Sequence, residues 1–114
     1  MKVVVIKNNL REGIMAVERA AGENANLPIL KNVLLETEDN KLKLTATNLE
    51  IAASFYVSGK VIENGRITVP LGILSGLIAN ISSERMDLES KKNILEIKTD
   101  NYQATIHGIS AEEF

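Results

Sequence analysis

The chain has 114 residues, of which 45% are hydrophobic and 25% charged, with a formal net charge of −2. This is the composition of an ordinary globular domain, long enough to bury one core without covalent staples. With no cysteine and a single histidine, His107, it excludes a disulfide scaffold, a thiolate metal site, a cysteine nucleophile and any multi-histidine metal centre.

The slightly acidic balance gives no global attraction for nucleic acid, so any such contact has to come from local patterning. The first apolar run, Val3 to Ile6, is too short for the core of a signal peptide. The longest uncharged stretch, Ile67 to Ser83, is broken by Pro70, Gly72 and Gly76. No membrane span is expected, and the cytoplasm is the default compartment.

In chain order, Val3-Val4-Val5-Ile6 is β-branched and predicts a strand. Asn8 or Asn9 offers an N-cap, and Leu10, Ile14, Val17 and Ala21 recur at helical spacing, so a helix is predicted over about 9–21, stopped by Gly22. Leu27-Pro28-Ile29-Leu30 is not expected to begin a helix, because proline pushes the residue before it towards extended geometry. Val33 to Thr37, the turn Glu38-Asp39-Asn40 and the alternating Leu42 to Ala46 read as a hairpin. A strand over 49–57, a short one at Val61-Ile62, a turn at Asn64-Gly65 and a strand over 66–69 follow. Pro70 suits the first turn of a second helix carrying Leu71, Leu74, Leu77, Ile78 and Ile81. Residues 85–89, 94–98 and 102–107 read as three further strands.

The order strand–helix–strand–strand–strand therefore occurs twice. At an offset of 53, Leu35-Glu36-Thr37 recurs as Leu88-Glu89-Ser90, while Asn40, Leu42, Leu44 and Asn48 match Asn93, Leu95, Ile97 and Asn101. Two copies suggest a pseudo-twofold domain rather than a solenoid, with halves of about 1–59 and 60–114. The predicted class is α+β: a duplicated β-α-β-β-β unit with two helices packed on antiparallel sheet.

Chemistry is sparse. Glu36 and Glu38 alternate with apolar neighbours as on a solvated strand, and His107 reads as a strand-end residue. Gly72 and Gly76 lack the lysine and spacing of a phosphate loop. Gly72, Ser75, Gly76, Ala79 and Asn80 make one face of the second helix small and neutral, for close approach either of another backbone or of a large smooth object. The last strand carries no acidic or basic residue and is an interface candidate if it lies at a sheet edge.

The phrases Asn26-Leu27-Pro28-Ile29-Leu30-Lys31-Asn32 and Leu42-Lys43-Leu44-Thr45-Ala46-Thr47-Asn48-Leu49-Glu50, with Ile67-Thr68-Val69-Pro70 and the ending Gly108 to Phe114, resemble the first domain of the bacterial DNA polymerase III sliding clamp across the whole chain. The resemblance implies a non-catalytic processivity factor without cofactor or metal. Three such domains make one chain, and two chains close as a homodimeric ring around double-stranded DNA. Through that ring the replicative polymerase and the clamp loader act. The later two domains are expected to be absent here, and a cytoplasmic, nucleoid-associated location follows.

The resemblance implies DNA-facing positions that are often basic in the family and are held here by the uncharged Asn24, Gly72 and Ile73; Arg11 and Arg19, on a first-helix face of mixed sign that reads otherwise as solvated, are weak substitutes. For ring closure it points to Ile73, Asn101, Gln103, Ala104 and Ile106. The lost basic positions leave a second reading open: a clamp-fold assembly module without DNA.

Overall fold

The computed structural model describes residues 1–21 and 28–114. Strand β1 (Lys2–Ile6) leads into helix α1 (Lys7–Val17), β2 (Asn32–Glu38), β3 (Lys41–Thr47) and β4 (Ala52–Glu63). Then come β5 (Arg66–Pro70), helix α2 (Leu71–Ala79), β6 (Arg85–Lys91), β7 (Ile94–Lys98) and β8 (Gln103–His107). All eight strands are antiparallel neighbours in the order β5-β2-β3-β4-β1-β6-β7-β8.

The duplication predicted from the sequence is the plan of this sheet. Each half's first strand pairs with the other half's second: β1 with β6, and β5 with β2. Equivalent hydrogen bonds recur across the halves. The Thr37 amide donates to the Gly65 carbonyl at 3.0 Å, and the Ser90 amide to the Met1 carbonyl at 2.8 Å. Met1 and Gly65 are 64 residues apart, whereas Thr37 and Ser90 are 53 apart. The helix and its connector to the second strand are thus together 64 − 53 = 11 residues shorter in the second half, and a single offset captures only the hairpins.

The core follows from alternation and helical stripes. Leu42, Leu44 and Ala46 point inward from β3, and Leu95 and Ile97 from β7. Leu10, Ile14 and Val17 of α1 and Leu71, Leu74 and Ile78 of α2 cover them. Gly13 lets α1 approach closely: a Cβ there would lie 2.8 Å from both Leu44 Cδ1 and Val57 Cγ2. The β2–β3 turn is a two-residue loop with Asp39 at φ 51° and Asn40 at φ 61°, the left-handed pair of a type I′ hairpin.

Four expectations need correction. Helix α1 starts at Lys7, with Ile6 as an N-cap that offers no side-chain bond, and ends at Val17 before a 3-10 turn over Glu18–Ala20. Pro28 opens a second 3-10 turn (Pro28–Lys31), since proline's fixed φ suits a first helical position. The strands expected over 49–57 and at Val61-Ile62 are one strand from Ala52, and it runs through the expected boundary at 59/60. Asn48 and Asn101 match in sequence but not in place. The Asn48 amide bonds the Ile51 carbonyl, and it is the Thr99 amide that makes the corresponding bond, to the Tyr102 carbonyl. Gly22, Leu27 and the loop between them lie outside the described residues.

Candidate nucleic-acid interface

The two helices lie side by side and antiparallel. Lys7 Nζ at the start of α1 donates to the Ile81 carbonyl beyond the end of α2 at 2.8 Å, placing a cation at the negative end of that helix. Their buried stripes face the sheet, and their outer faces meet in a shallow seam.

Two grooves run along that seam. One is lined by Arg11, Met15 and Glu18 of the first helical segment and by Ser75 and Ala79 of α2. The other is lined by Glu18, Arg19 and Lys31 on one side and Gly72, Ser75 and Gly76 on the other. The fold therefore gathers Arg11, Arg19 and Gly72 on one surface, and Asn24 falls outside the described residues. A Cβ on Gly72 or Gly76 would meet nothing within 4 Å, so among the described residues no backbone accounts for the small face of α2.

Sequence reasoning misses Lys31. It stands in the Leu-Pro-Ile-Leu-Lys phrase, which displays no helical period, and only the 3-10 turn carries it to the seam. The helical segments 7–20, 28–31 and 71–79 hold four cations, Lys7, Arg11, Arg19 and Lys31, against two carboxylates, Glu12 and Glu18. This layer is positive in a chain whose net charge is −2. Among the described residues, none of Arg11, Arg19 and Lys31 takes part in an ion pair.

The resolved pKa shifts lie elsewhere, on the outer face of the sheet. A hydrogen bond from Lys98 holds Glu96 below the usual carboxylate range and raises Lys98 in return, across a 2.9 Å contact. Hydrogen bonding and charge attraction to Glu38 raise Lys43, 3.3 Å away, and its ammonium also sits 5.6 Å from the centre of the Tyr56 ring. These are exposed ion pairs, not a convergent set around a cleft.

The residues expected at a ring-closing surface separate into two groups. Ile73 is 55% exposed on α2, Asn101 is exposed in the turn before β8, and Gln103 is exposed on β8. Ala104 is half-buried, and Ile106 is only 3% exposed within the core. Ile106 is corrected accordingly: strand alternation turns it and Ala104 inward, and the side chains offered along this edge are Gln103, Thr105 and His107.

β8 is the last strand of the sheet and pairs only with β7. A second such edge is absent from the sequence reading. Residues 52–58 of β4 pair with β3 alone, because pairing with β1 begins at Gly59. Neither segment, 52–58 or 103–107, contains Lys, Arg, Asp or Glu.

The family profile described as DNA polymerase III beta subunit, N-terminal domain, matches residues 1–114. The beta sliding clamp of Synechococcus elongatus is 30% identical over 117 residues, spanning 100% of this chain and 31% of the relative. The DNA polymerase III subunit beta from Pseudomonas aeruginosa has a TM-score of 0.91 at 27% identity, covering 100% of this chain and 31% of that one. A Helicobacter pylori beta clamp solved bound to a DNA ligase peptide has the same fold, with a TM-score of 0.93 at 23% identity over 100% of this chain and 32% of its own. The chain belongs to the DNA polymerase III beta subunit family and is a sliding-clamp N-terminal domain. It spans about a third of the length of the curated relatives it matches.

Proposed function

We propose that this domain is one segment of a ring around duplex DNA, and that the ring tethers a replicative polymerase to its template without itself catalysing a reaction. The observation that carries the reading is the pair of open strand edges, β4 over 52–58 and β8, related by the internal twofold. Exposed strands usually carry charges, bulges or proline against unwanted pairing, and these two carry no charge. A unit with two equivalent open edges continues head to tail, and such an arrangement closes into a ring when its rotation allows. The helix layer, with its neutral α2 and scattered cations, then lines the hole.

Encirclement makes binding topological. Weak, non-specific phosphate contacts are sufficient, and the ring can slide. The tethered polymerase gains effective concentration at the primer end instead of rate at its active site. The peptide complex of the Helicobacter relative supports recruitment of partners by short peptides, the polymerase and clamp loader among them, through the whole protein rather than this domain. A homodimeric ring, in the cytoplasm and on the nucleoid, completes the proposal. Among the described residues no helix is long and apolar enough to cross a membrane.

The native gene product, incubated with clamp loader and ATP, is expected to stay on nicked circular DNA and run off the same DNA once it is linearised. Equal loss from both forms would overturn the ring. The neutral face of α2 motivates a second reading, an assembly module without DNA, and a ring-shaped oligomer with no DNA retention would favour it.

A further inference from the structure

The four cations of the helix layer are not evenly placed. Lys7 is committed to the Ile81 carbonyl, and Arg11 faces the groove toward the far end of α2. Arg19 and Lys31 come from two different 3-10 turns, on either side of the connector, yet line one groove of ≈ 720 Å³. Its opposite wall is Gly72, Ser75 and Gly76 with the largely buried Leu71, so no charged side chain of α2 stands there. Glu18 lines both this groove and the one beside Arg11.

We infer that Arg19 and Lys31 together bind the phosphate backbone of duplex DNA on behalf of this domain, at the connector end of the helix seam, and that Glu18 keeps that binding weak. The inference rests on the ring reading above and assigns its electrostatics to particular residues. α2 supplies no charge, so its bare glycine edge admits a phosphate strand but cannot hold it. Two exposed cations on flexible stems can each meet a phosphate without fixing a base, which suits binding to any sequence. A carboxylate between the positive positions repels every phosphate that passes, so no register along the backbone becomes a trap. The cation that α2 lacks is thereby supplied across the seam by Lys31.

The test is equilibrium binding of the native gene product to a short fluorescent duplex over a range of salt. Log K falls with log salt by about 0.9 for every phosphate that a side chain neutralises. Lys31→Gln and Arg19→Gln are each expected to flatten the slope by that amount. Glu18→Gln is expected to tighten binding several-fold at low salt. Lys41→Gln, at the outer end of the β2–β3 hairpin, is expected to change neither. All four positions are exposed, and a thermal melt of each variant checks the fold.

Unchanged slopes for Lys31→Gln and Arg19→Gln, with retention on circular DNA intact, would overturn this inference and leave the ring standing. Loss of retention by the unaltered protein would overturn the ring and the inference together. Weakening by Glu18→Gln would remove the role assigned to that carboxylate.

Discussion

Gly59 and Gly108 hold equivalent places in the two halves of the sheet, each pressed against the carbonyl oxygen of an equivalent residue. A Cβ on Gly59 would lie 2.7 Å from the Val4 oxygen, and one on Gly108 would collide with the Thr68 oxygen. At these points each half's fourth strand turns back onto its own first strand. β4 continues from Gly59 through Glu63 along β1, whereas the second half manages one bridge, Thr68 with Ile109. That bridge is the counterpart of the Val4–Lys60 pair. The glycines are required by proximity of backbone, since neither has a positive φ.

Gly59→Ala and Gly108→Ala should each destabilise the domain by about 2–4 kcal/mol, because backbone on both sides has to move. Gly76→Ala should do the reverse, adding about 0.5–1 kcal/mol, since its Cβ enters open space in a helix interior. Urea denaturation of the three variants checks the signs. Equal effects at Gly76 and Gly108 would contradict the argument.

The single bridge of the second half is reinforced by a buried side chain. Thr68 Oγ1 donates to the Ile109 carbonyl at 2.7 Å and accepts from Asn32 Nδ2 at 3.2 Å, and Asn32 and Thr68 are the buried polar residues of the described core. Thr68→Val keeps the shape and removes both bonds, leaving the Asn32 amide one partner short. A loss of about 1–3 kcal/mol is expected. Hydrogen exchange reads it locally: the Ile109 amide, bonded to the Thr68 carbonyl at 3.0 Å, should exchange faster in the variant than amides of β3.

The sheet is readable from the sequence where its alternation is strict. Leu42-Lys43-Leu44-Thr45-Ala46 fixes a register and a buried face, and the repeat at 53 residues exposes the duplication. The open edge of β4 is hidden because 49–62 looks like two strands, and a strand paired with different partners along its length has no signature in its own residues. Arg11 and Arg19 are legible as exposed charges on a helix. Lys31 is not, since its placement depends on a turn far from α2 in sequence. Ile106 comes to the ring-closing set by position in the resemblance, whereas alternation along β8 puts its side chain inside.

The pH dependence follows from three exposed groups. Glu96 is depressed by Lys98, so its contribution is present above the ordinary glutamate range and is lost as pH falls through its lowered folded value. Lys43 and Lys98 are raised, so theirs are present below the ordinary lysine range and lost as pH climbs through the raised folded values. From these groups stability should be flat around neutrality and decline at both extremes. Lys98→Met should remove the acid-side contribution of Glu96, and added salt should shrink it in the parent. Denaturation midpoints across pH and salt give the comparison. A maximum confined to alkaline pH would contradict the assignment.

The two open edges make different demands on the assembled protein. In the ring proposed above, built of chains three domains long, the β8 edge with Ile73 is expected to meet the neighbouring subunit, which leaves the β4 edge for the next domain of the same chain. Thr105→Lys places a charge at the exposed rim of β8 without touching the core, and Ala52→Lys does the same at the start of β4. Thr105→Lys, like Ile73→Asp, is expected to raise the subunit dissociation constant at least tenfold, about 1.4 kcal/mol. Ala52→Lys should leave that constant unchanged and lower the melting temperature, because it loosens a junction within the chain. Sedimentation equilibrium and a thermal melt of the native gene product separate these outcomes. If Ala52→Lys also dissociated the subunits, both edges would lie between chains and the ring would be built from single domains. If neither lysine had any effect, the edges would not be the joints.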